Sequence, residues 1–274
     1  MRALPLILSA LAGLLITGPA LRFLAAEGDT RENHRGRVLP FPAGFAIVAA
    51  AVVALVPLAA LRQLSDVDLF EPELGRIAVY ALGVAFLGLV DDALAGAARG
   101  WRGHGAAVLG GTFSTGALKA FGALGLAMFV LRGSGRGDGE YLLAVALLVL
   151  ATNLFNLLDL RPGRAAKALA LVGIGVSLGA WSVRPLWALG LFLGPALVAG
   201  YHDLRERAML GDTGSNLLGG LAGLWLVLAL GTVAQAVALA AVLAVTVYGE
   251  FRSVSAWIER TPGIRQLDSI GRPS

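Results

Sequence analysis

The 274-residue chain is 57% hydrophobic and 15% charged, with a formal net charge of +4. A mean hydropathy of +0.76 excludes an ordinary soluble domain and marks one polytopic membrane domain covering 1–274. No cysteine is present, which excludes a disulfide framework and a thiolate metal site. In such a chain a basic balance reads as Lys and Arg gathered on the cytoplasmic side, not as nucleic-acid binding.

Leu4 to Leu24 is the first apolar span, interrupted only by Arg22. With Ala25 and Ala26 behind it, the span also fits a signal peptide. A polar loop from Glu27 to Pro40 follows, containing Asn33-His34-Arg35-Gly36-Arg37, and a second span runs from about Phe41 to Leu61. The acidic loop from Arg62 to Arg76 carries Asp66, Asp68, Glu71 and Glu73. The third span runs through Ile77 to Val90 and closes on Asp91 and Asp92.

A loop with Arg99, Arg102 and His104 leads through Gly110 to Gly116 into a fourth span that reaches about Leu131, with Lys119 one turn inside. The fifth span, Tyr141 to Leu158, ends in Asn153-Leu-Phe-Asn156-Leu-Leu-Asp159. The sixth runs from about Ala165 to Trp181, and the seventh, Leu186 to Gly200, is set off by Arg184 and Pro185. A polar loop from Tyr201 to Ser215 includes Gly211-Asp-Thr-Gly-Ser215. The eighth span starts near Asn216 and the ninth runs from near Val233 to about Trp257, with Glu250 and Arg252 in its last third. Glu250 and Arg252, two apart, do not face each other on a helix. The expected fold class is therefore all-α, a bundle of about nine transmembrane helices.

Alternating the loops places the first polar loop, the aspartate pair, the end of the fifth span, the Gly211-Asp212 loop and the tail on one side. That side holds all of the 22 Lys and Arg residues except Arg2, Arg62, Arg76, Arg132, Arg136 and Arg184. The motif side is then cytoplasmic and the N-terminus outside. Cleavage of the first span as a signal peptide would reverse this and expose most of the positive charge outside.

A carboxylate at the bilayer centre costs roughly 2.5–3.5 kcal/mol, so Asp91 and Asp92 belong at the water boundary. Adjacent carboxylates repel and favour a cation between them, and a divalent ion is the natural partner; a bare stop signal at a helix end is the plainer reading. Asn153, Asn156 and Asp159, spaced by three, form one stripe that faces the bundle interior or a wet cavity, or else bonds between helices. Gly211 to Ser215 reads as a capped helix start, which also suits phosphate. Lys119 either snorkels or contacts phosphate. His34, His104 and His202 stand isolated. The pairs Gly175/Gly179, Gly190/Gly194 and Gly219/Gly223 read as close helix packing.

The constellation resembles the polyprenyl-phosphate N-acetylhexosamine-1-phosphate transferases, the family of the phospho-MurNAc-pentapeptide translocase and the bacterial GlcNAc-1-phosphate transferases. The resemblance spans about Asn33 to Gly223. Gly88-Leu-Val-Asp-Asp92 is similar to the family's aspartate pair, and Thr115-Gly-Ala-Leu-Lys119 to its Thr-Gly-x-x-Lys motif. Asn153 to Asp159 is similar to its Asn-x-x-Asn-x-x-Asp motif, and Leu210 to Asn216 to its Gly-Asp-x-Gly-Ser motif. Arg35-Gly36 with Pro40 to Gly44 is similar to its first cytoplasmic loop.

The resemblance implies passage of a sugar 1-phosphate from a UDP-N-acetylhexosamine to a polyprenyl phosphate in a bacterial plasma membrane, with release of UMP and Mg²⁺ as cofactor. The product would be a lipid-linked precursor of cell wall or surface polysaccharide, and the resemblance admits a homodimer. It implies Asp92 and Asp212 as magnesium ligands and Asp91 as general base or as the group orienting the lipid phosphate. Lys119 would hold phosphate. Asn153, Asn156 and Asp159 would line the nucleotide site, and Arg35, Gly214, Ser215 and Arg265 would contact substrate. The chain departs from the family at Pro162, where many members carry a second aspartate, and in Arg260 to Arg272, where the family has a His-rich loop and a tenth helix.

Two other classes stay open. An ion-coupled transporter predicts acids near the bilayer midplane on broken helices. A catalytically inactive relative, acting as a lipid-binding or scaffold protein, predicts loss of the aspartates. A CDP-alcohol phosphotransferase needs further aspartates after the pair, which Asp92-Ala-Leu-Ala-Gly does not supply.

Overall fold

A computed structural model describes residues 1–65, 67–94 and 114–273. The sequence features at Asp66, Arg99, Arg102, His104 and Gly110 to Phe113 lie outside the described residues. The described residues are all-α apart from one small hairpin. In order it forms α1 (Leu4–Glu27), β1 (Thr30–Glu32), β2 (Val38–Pro40), α2 (Gly44–Leu64) and α3 (Leu74–Leu94). It continues with α4 (Thr115–Leu131), α5 (Asp138–Leu158), α6 (Arg164–Gly179), α7 (Arg184–Ala188), α8 (Gly190–Leu204) and α9 (Gly211–Ala229). Last come α10 (Thr232–Phe251), α11 (Val254–Arg260) and α12 (Pro262–Ser269). Five of these, α1, α2, α3, α5 and α10, are long and apolar enough to cross a membrane.

The centre of the bundle is α9. Every residue from Thr213 to Val227 is buried, as a helix enclosed on all sides must be, and α2, α3, α5 and α6 pack around it. Gly219 and Gly223 make that fit possible: a Cβ on Gly219 would lie 2.7 Å from the Thr152 Cα, and one on Gly223 2.8 Å from the Leu148 side chain. Gly194 admits α1 in the same way, its Cβ position falling 2.5 Å from the Ala10 nitrogen. The third predicted pair differs, since nothing lies within 4 Å of Gly175 or Gly179.

Three boundaries depart from the expected spans. The first polar loop is an antiparallel hairpin, with Thr30 opposite Pro40 and Glu32 opposite Val38. The seventh span is split into α7 and α8 at Leu189, whose backbone caps both. The ninth stops at Phe251 instead of Trp257, because the Ser253 side chain accepts a hydrogen bond from the Ala256 N–H and starts α11.

Ion pairs gather at both ends of the bundle. At one end Arg184 bonds Glu73 and lies near Glu71, Arg2 pairs with Glu71, and Arg62 with Asp68. The opposite end holds the hairpin, the aspartates and the tail. There the Asp268 carboxylate on α12 receives Arg164 (3.0 and 2.9 Å) and Arg272 (3.0 and 2.8 Å). Burial opposes its charge, but the hydrogen bonds and charges of the two guanidiniums outweigh this and pull the carboxyl down to about 2. An unfolded Asp titrates near ~3.9, so this pairing stabilises the docked tail fully above about pH 4 and is lost as pH falls through about 2. Hydrogen exchange of the 262–270 amides, taken relative to intrinsic rates, should therefore stay constant from neutral pH to about 4 and accelerate between about 4 and 2.

Candidate active site

The third helix reaches its last turn with two aspartates side by side. Successive residues on a helix point about 100° apart, so they face different neighbours. Asp92 turns inward, to 9% exposure. Its Oδ1 accepts the Asp212 N–H (2.9 Å), and its Oδ2 accepts the Thr213 N–H (2.8 Å) and hydroxyl (2.7 Å). Asp92 is thus the N-terminal cap of α9, supplied by another helix, where α9 has no side-chain cap of its own. The Asp92 backbone carbonyl accepts Arg31 Nη2 at 2.7 Å, and the same guanidinium lies 3.9 Å over the Phe41 ring, which ties the hairpin to the site.

Glycines permit this contact. A Cβ on Gly88, one turn before Asp92, would fall 2.2 Å from the Asp212 carbonyl oxygen; one on Gly44 would fall 2.2 Å from the Gly214 nitrogen. Gly211 has φ +71°, and its Cβ would lie 2.8 Å from Asp92 Oδ2. Backbone bonds from Ala43 N–H to the Met209 carbonyl (2.8 Å) and from Gly44 N–H to the Leu210 carbonyl (3.0 Å) hold the entry to α9 in place.

Asp91 faces the other way. Lys119 Nζ, in the first turns of α4, lies 3.4 Å from Asp91 Oδ2 and 2.6 Å from Asp212 Oδ2. The Asn156 amide completes the network when Oδ1 accepts Lys119 Nζ (2.7 Å) and Nδ2 donates to Asp212 Oδ1 (2.8 Å) and Ser215 Oγ (3.1 Å). The ammonium then has three acceptors for its three hydrogens. Lys119 is 14% exposed, Asp91 22% and Asp212 30%, so water reaches the carboxylates while the lysine sits beneath them. Four helices, α3, α4, α5 and α9, each deliver one member.

The remaining predicted residues fall elsewhere. Asn153 is exposed and makes no side-chain hydrogen bond among the described residues. Gly214 is a packing position against Gly44, and Ser215 is fully buried beneath Asn156. Asp159 lines a separate pocket with Asn33, His34, Arg161, Pro162 and Asp203. Burial there, then the charges of Asp203, Asp212 and Asp92, raise its carboxyl well above the ordinary range. Burial, then Arg161, lowers the His34 imidazole, which keeps it neutral at pH 7. Arg35 pairs with Glu206 at 3.3 Å and donates to the Pro273 carbonyl, away from Asp91 and Asp212. Arg265 is exposed, without a polar side-chain partner among the described residues; the tail arginine that reaches this end is Arg272, whose Nε donates to the Pro162 carbonyl at 2.8 Å.

Thr213, Asp203 and Glu206 are the residues that sequence reasoning missed. Glu206 has a side chain with no exposure, bound by Asn33, Arg35 and Arg37. The signal that could have flagged it is a lone acid between Arg205 and Arg207.

The two residues of the expected magnesium pair, Asp92 and Asp212, are engaged differently in this structure. Both Asp92 oxygens are committed to the start of α9, and so are the N–H groups of Asp212 and Thr213 that would otherwise suit phosphate. The carboxylates that share a cation are Asp91 and Asp212, and the cation between them is an ammonium. Among the described residues no three His, Cys, Asp or Glu side chains converge as a metal cage. Two carboxylates suit Mg²⁺, whose shell is completed by waters and substrate phosphates.

Two outcomes follow from these contacts. Lys119→Met should raise affinity for Mn²⁺, read by electron paramagnetic resonance, since the competing charge between Asp91 and Asp212 is gone; unchanged affinity would show that the lysine does not occupy the cation position. Gly88→Ala should destabilise the purified protein by about 1–3 kcal/mol, read as a lower thermal midpoint, because the Asp212 carbonyl has to move. No family model matches the chain, and no curated protein matches it.

Proposed function

We propose that the chain is a Mg²⁺-dependent transferase that passes a sugar 1-phosphate from a UDP-N-acetylhexosamine to a polyprenyl phosphate, releasing UMP. The observation that supports this reading best is the convergence of Asp91, Asp212, Lys119 and Asn156 from four helices. All four sit at helix ends on the face of the bundle that carries the hairpin. Under this reading that face is cytoplasmic, as the charge asymmetry of the loops suggests. A soluble nucleotide enters from that side and a lipid phosphate from the surrounding bilayer.

Asp91 and Asp212 would hold the ion, which when bound neutralises charge on the diphosphate. Lys119, displaced from between the carboxylates, keeps its stem in α4 and offers its ammonium to phosphate oxygens. Asn156 anchors Asp212 on one side, and the Asp92-capped backbone anchors it on the other, so the ligand oxygen is preorganised. An oxygen of the lipid phosphate attacks the sugar-bound phosphorus, and the bond from that phosphorus to the bridging oxygen breaks, with the electron pair leaving on UMP. A phosphate monoester has a second pKa near ~6 and is already largely ionised at pH 7, so no strong base is required. Asp91 then orients the nucleophile and need not deprotonate it.

An ion-coupled transporter places its acids near mid-membrane on broken helices. Here Asp91 lies in the last turn of α3 and Asp212 in the first turn of α9, a placement that favours the transferase. Purified protein with undecaprenyl phosphate, Mg²⁺ and a panel of UDP-sugars should release UMP, and Asp212→Asn should lower turnover by roughly 10³-fold or more. Wild-type UMP release from that variant would remove Asp212 from the chemistry.

A further inference from the structure

The turn between α5 and α6 is tied down at every residue from Arg161 to Arg164. Arg161 Nη2 bonds Glu259 Oε1 of α11 at 3.1 Å. The Pro162 carbonyl accepts Arg272 Nε at 2.8 Å. The Gly163 N–H donates to Asp203 Oδ2 at 2.6 Å. Arg164 donates two hydrogen bonds to Asp268 and one to Ser255 Oγ, the last at 2.8 Å. Three of the four tethers come from α11, α12 and the turn after them.

The attachment is buried and shape-specific. The side chains of Arg164 and Asp268 are 5% and 9% exposed. Lys167 Nζ donates to the last carbonyls of α12, those of Leu267 and Asp268. Gly163 (φ +71°) and Gly271 (φ +78°) both rest on Leu204: a Cβ on the first would lie 2.4 Å from its Cδ1, and one on the second 3.0 Å from its Cδ2. Turn, tail and the end of α8 therefore meet at a single leucine. Just ahead of the tethered residues stand Asp159 and Leu160, which line the pocket together with Arg161 and Pro162.

We propose that α11, α12 and the residues to Arg272 form a clamp on the α5–α6 turn, with Asp268 as its latch, and that this clamp fixes the shape of the pocket beside Asp159. Asp268 is a positioning residue: it touches no reacting group and acts through Arg164. Pro162 gives the clamp its handle, because a proline carbonyl remains available to Arg272 while the ring restricts the turn. A turn fixed before ligand arrives saves the ordering cost at binding. The consequence for donor affinity rests on the transferase reading; the mechanical part does not.

The test uses the full chain in detergent, as wild type, Asp268→Ala, Asp268→Glu and Arg272→Gln. Hydrogen exchange of the 160–167 amides should rise about tenfold in Asp268→Ala while the amides of Asp212 and Thr213 keep their protection. Asp268→Glu should recover most of the loss, and Arg272→Gln should loosen the turn from the tail side. With UDP-N-acetylglucosamine, undecaprenyl phosphate and Mg²⁺, the alanine variant should raise the donor KM about fivefold with kcat within about twofold. Unchanged exchange in the turn overturns the clamp. A fall in kcat at unchanged KM overturns its positioning role. Loosened exchange without UMP release from the wild type upholds the clamp and refutes the transferase reading.

Discussion

The bond from Asp92 to the first turn of α9 holds the site together. One carboxylate satisfies two backbone N–H groups and a hydroxyl that lie 120 and 121 residues away in sequence. The positive end of the helix dipole makes that anion favourable there, and with Asp92 and Thr213 buried a lost bond would leave those donors unpaired. The lack of a side chain at Gly88 lets the two backbones come close enough for the bond to form. Asp212 is carried on the same turn, so its placement is a by-product of the cap. The two aspartates of α3 divide the work: one builds the site and the other faces it.

Charge balance explains the rest of the network. Asp91 and Asp212 lie close enough to share Lys119, and without a cation their repulsion would drive one of them to take up a proton. Lys119 supplies that cation from within the protein, and the Asn156 carbonyl oxygen gives the ammonium its third acceptor. Removing the lysine from water is tolerable because it is fully hydrogen-bonded. Under the transferase reading, the lysine that neutralises the pair would follow the negative charge of an incoming phosphate.

Much of this was legible in the sequence. Polar residues in apolar helices stand out, and spacing by three put Asn156 on the face that meets Asp212. The stripe does not stay together: Asn153, a turn earlier, is exposed, while Asn156 in the last turn meets Asp212. The division of roles between Asp91 and Asp92 was hidden: both match the same pattern, and only the rotation of α3 against α9 tells them apart. Glu206 left only the trace of a lone acid between two arginines, and Asp203 and the Arg164–Asp268 pair left none. Their partners lie far away in sequence, 104 residues in the case of Arg164 and Asp268, and no local pattern encodes such a meeting. The hairpin escaped because each strand is three residues long, too short for an alternating signal.

The strand end at Pro40 and the segment before α9 are zipped by main-chain bonds, from Met209 to Pro40, Ala43 to Met209 and Gly44 to Leu210. The floor beneath the acids is consequently stiff. Under the transferase reading, whatever adjustment a bound phosphate demanded would fall to a flexible four-carbon arm anchored in α4, a matter of side-chain rotamers, on a scale of picoseconds to nanoseconds where exposed and slower where packed. Exchange of occupants at this face would then be set by how readily one ammonium group swings aside, with the scaffold standing still.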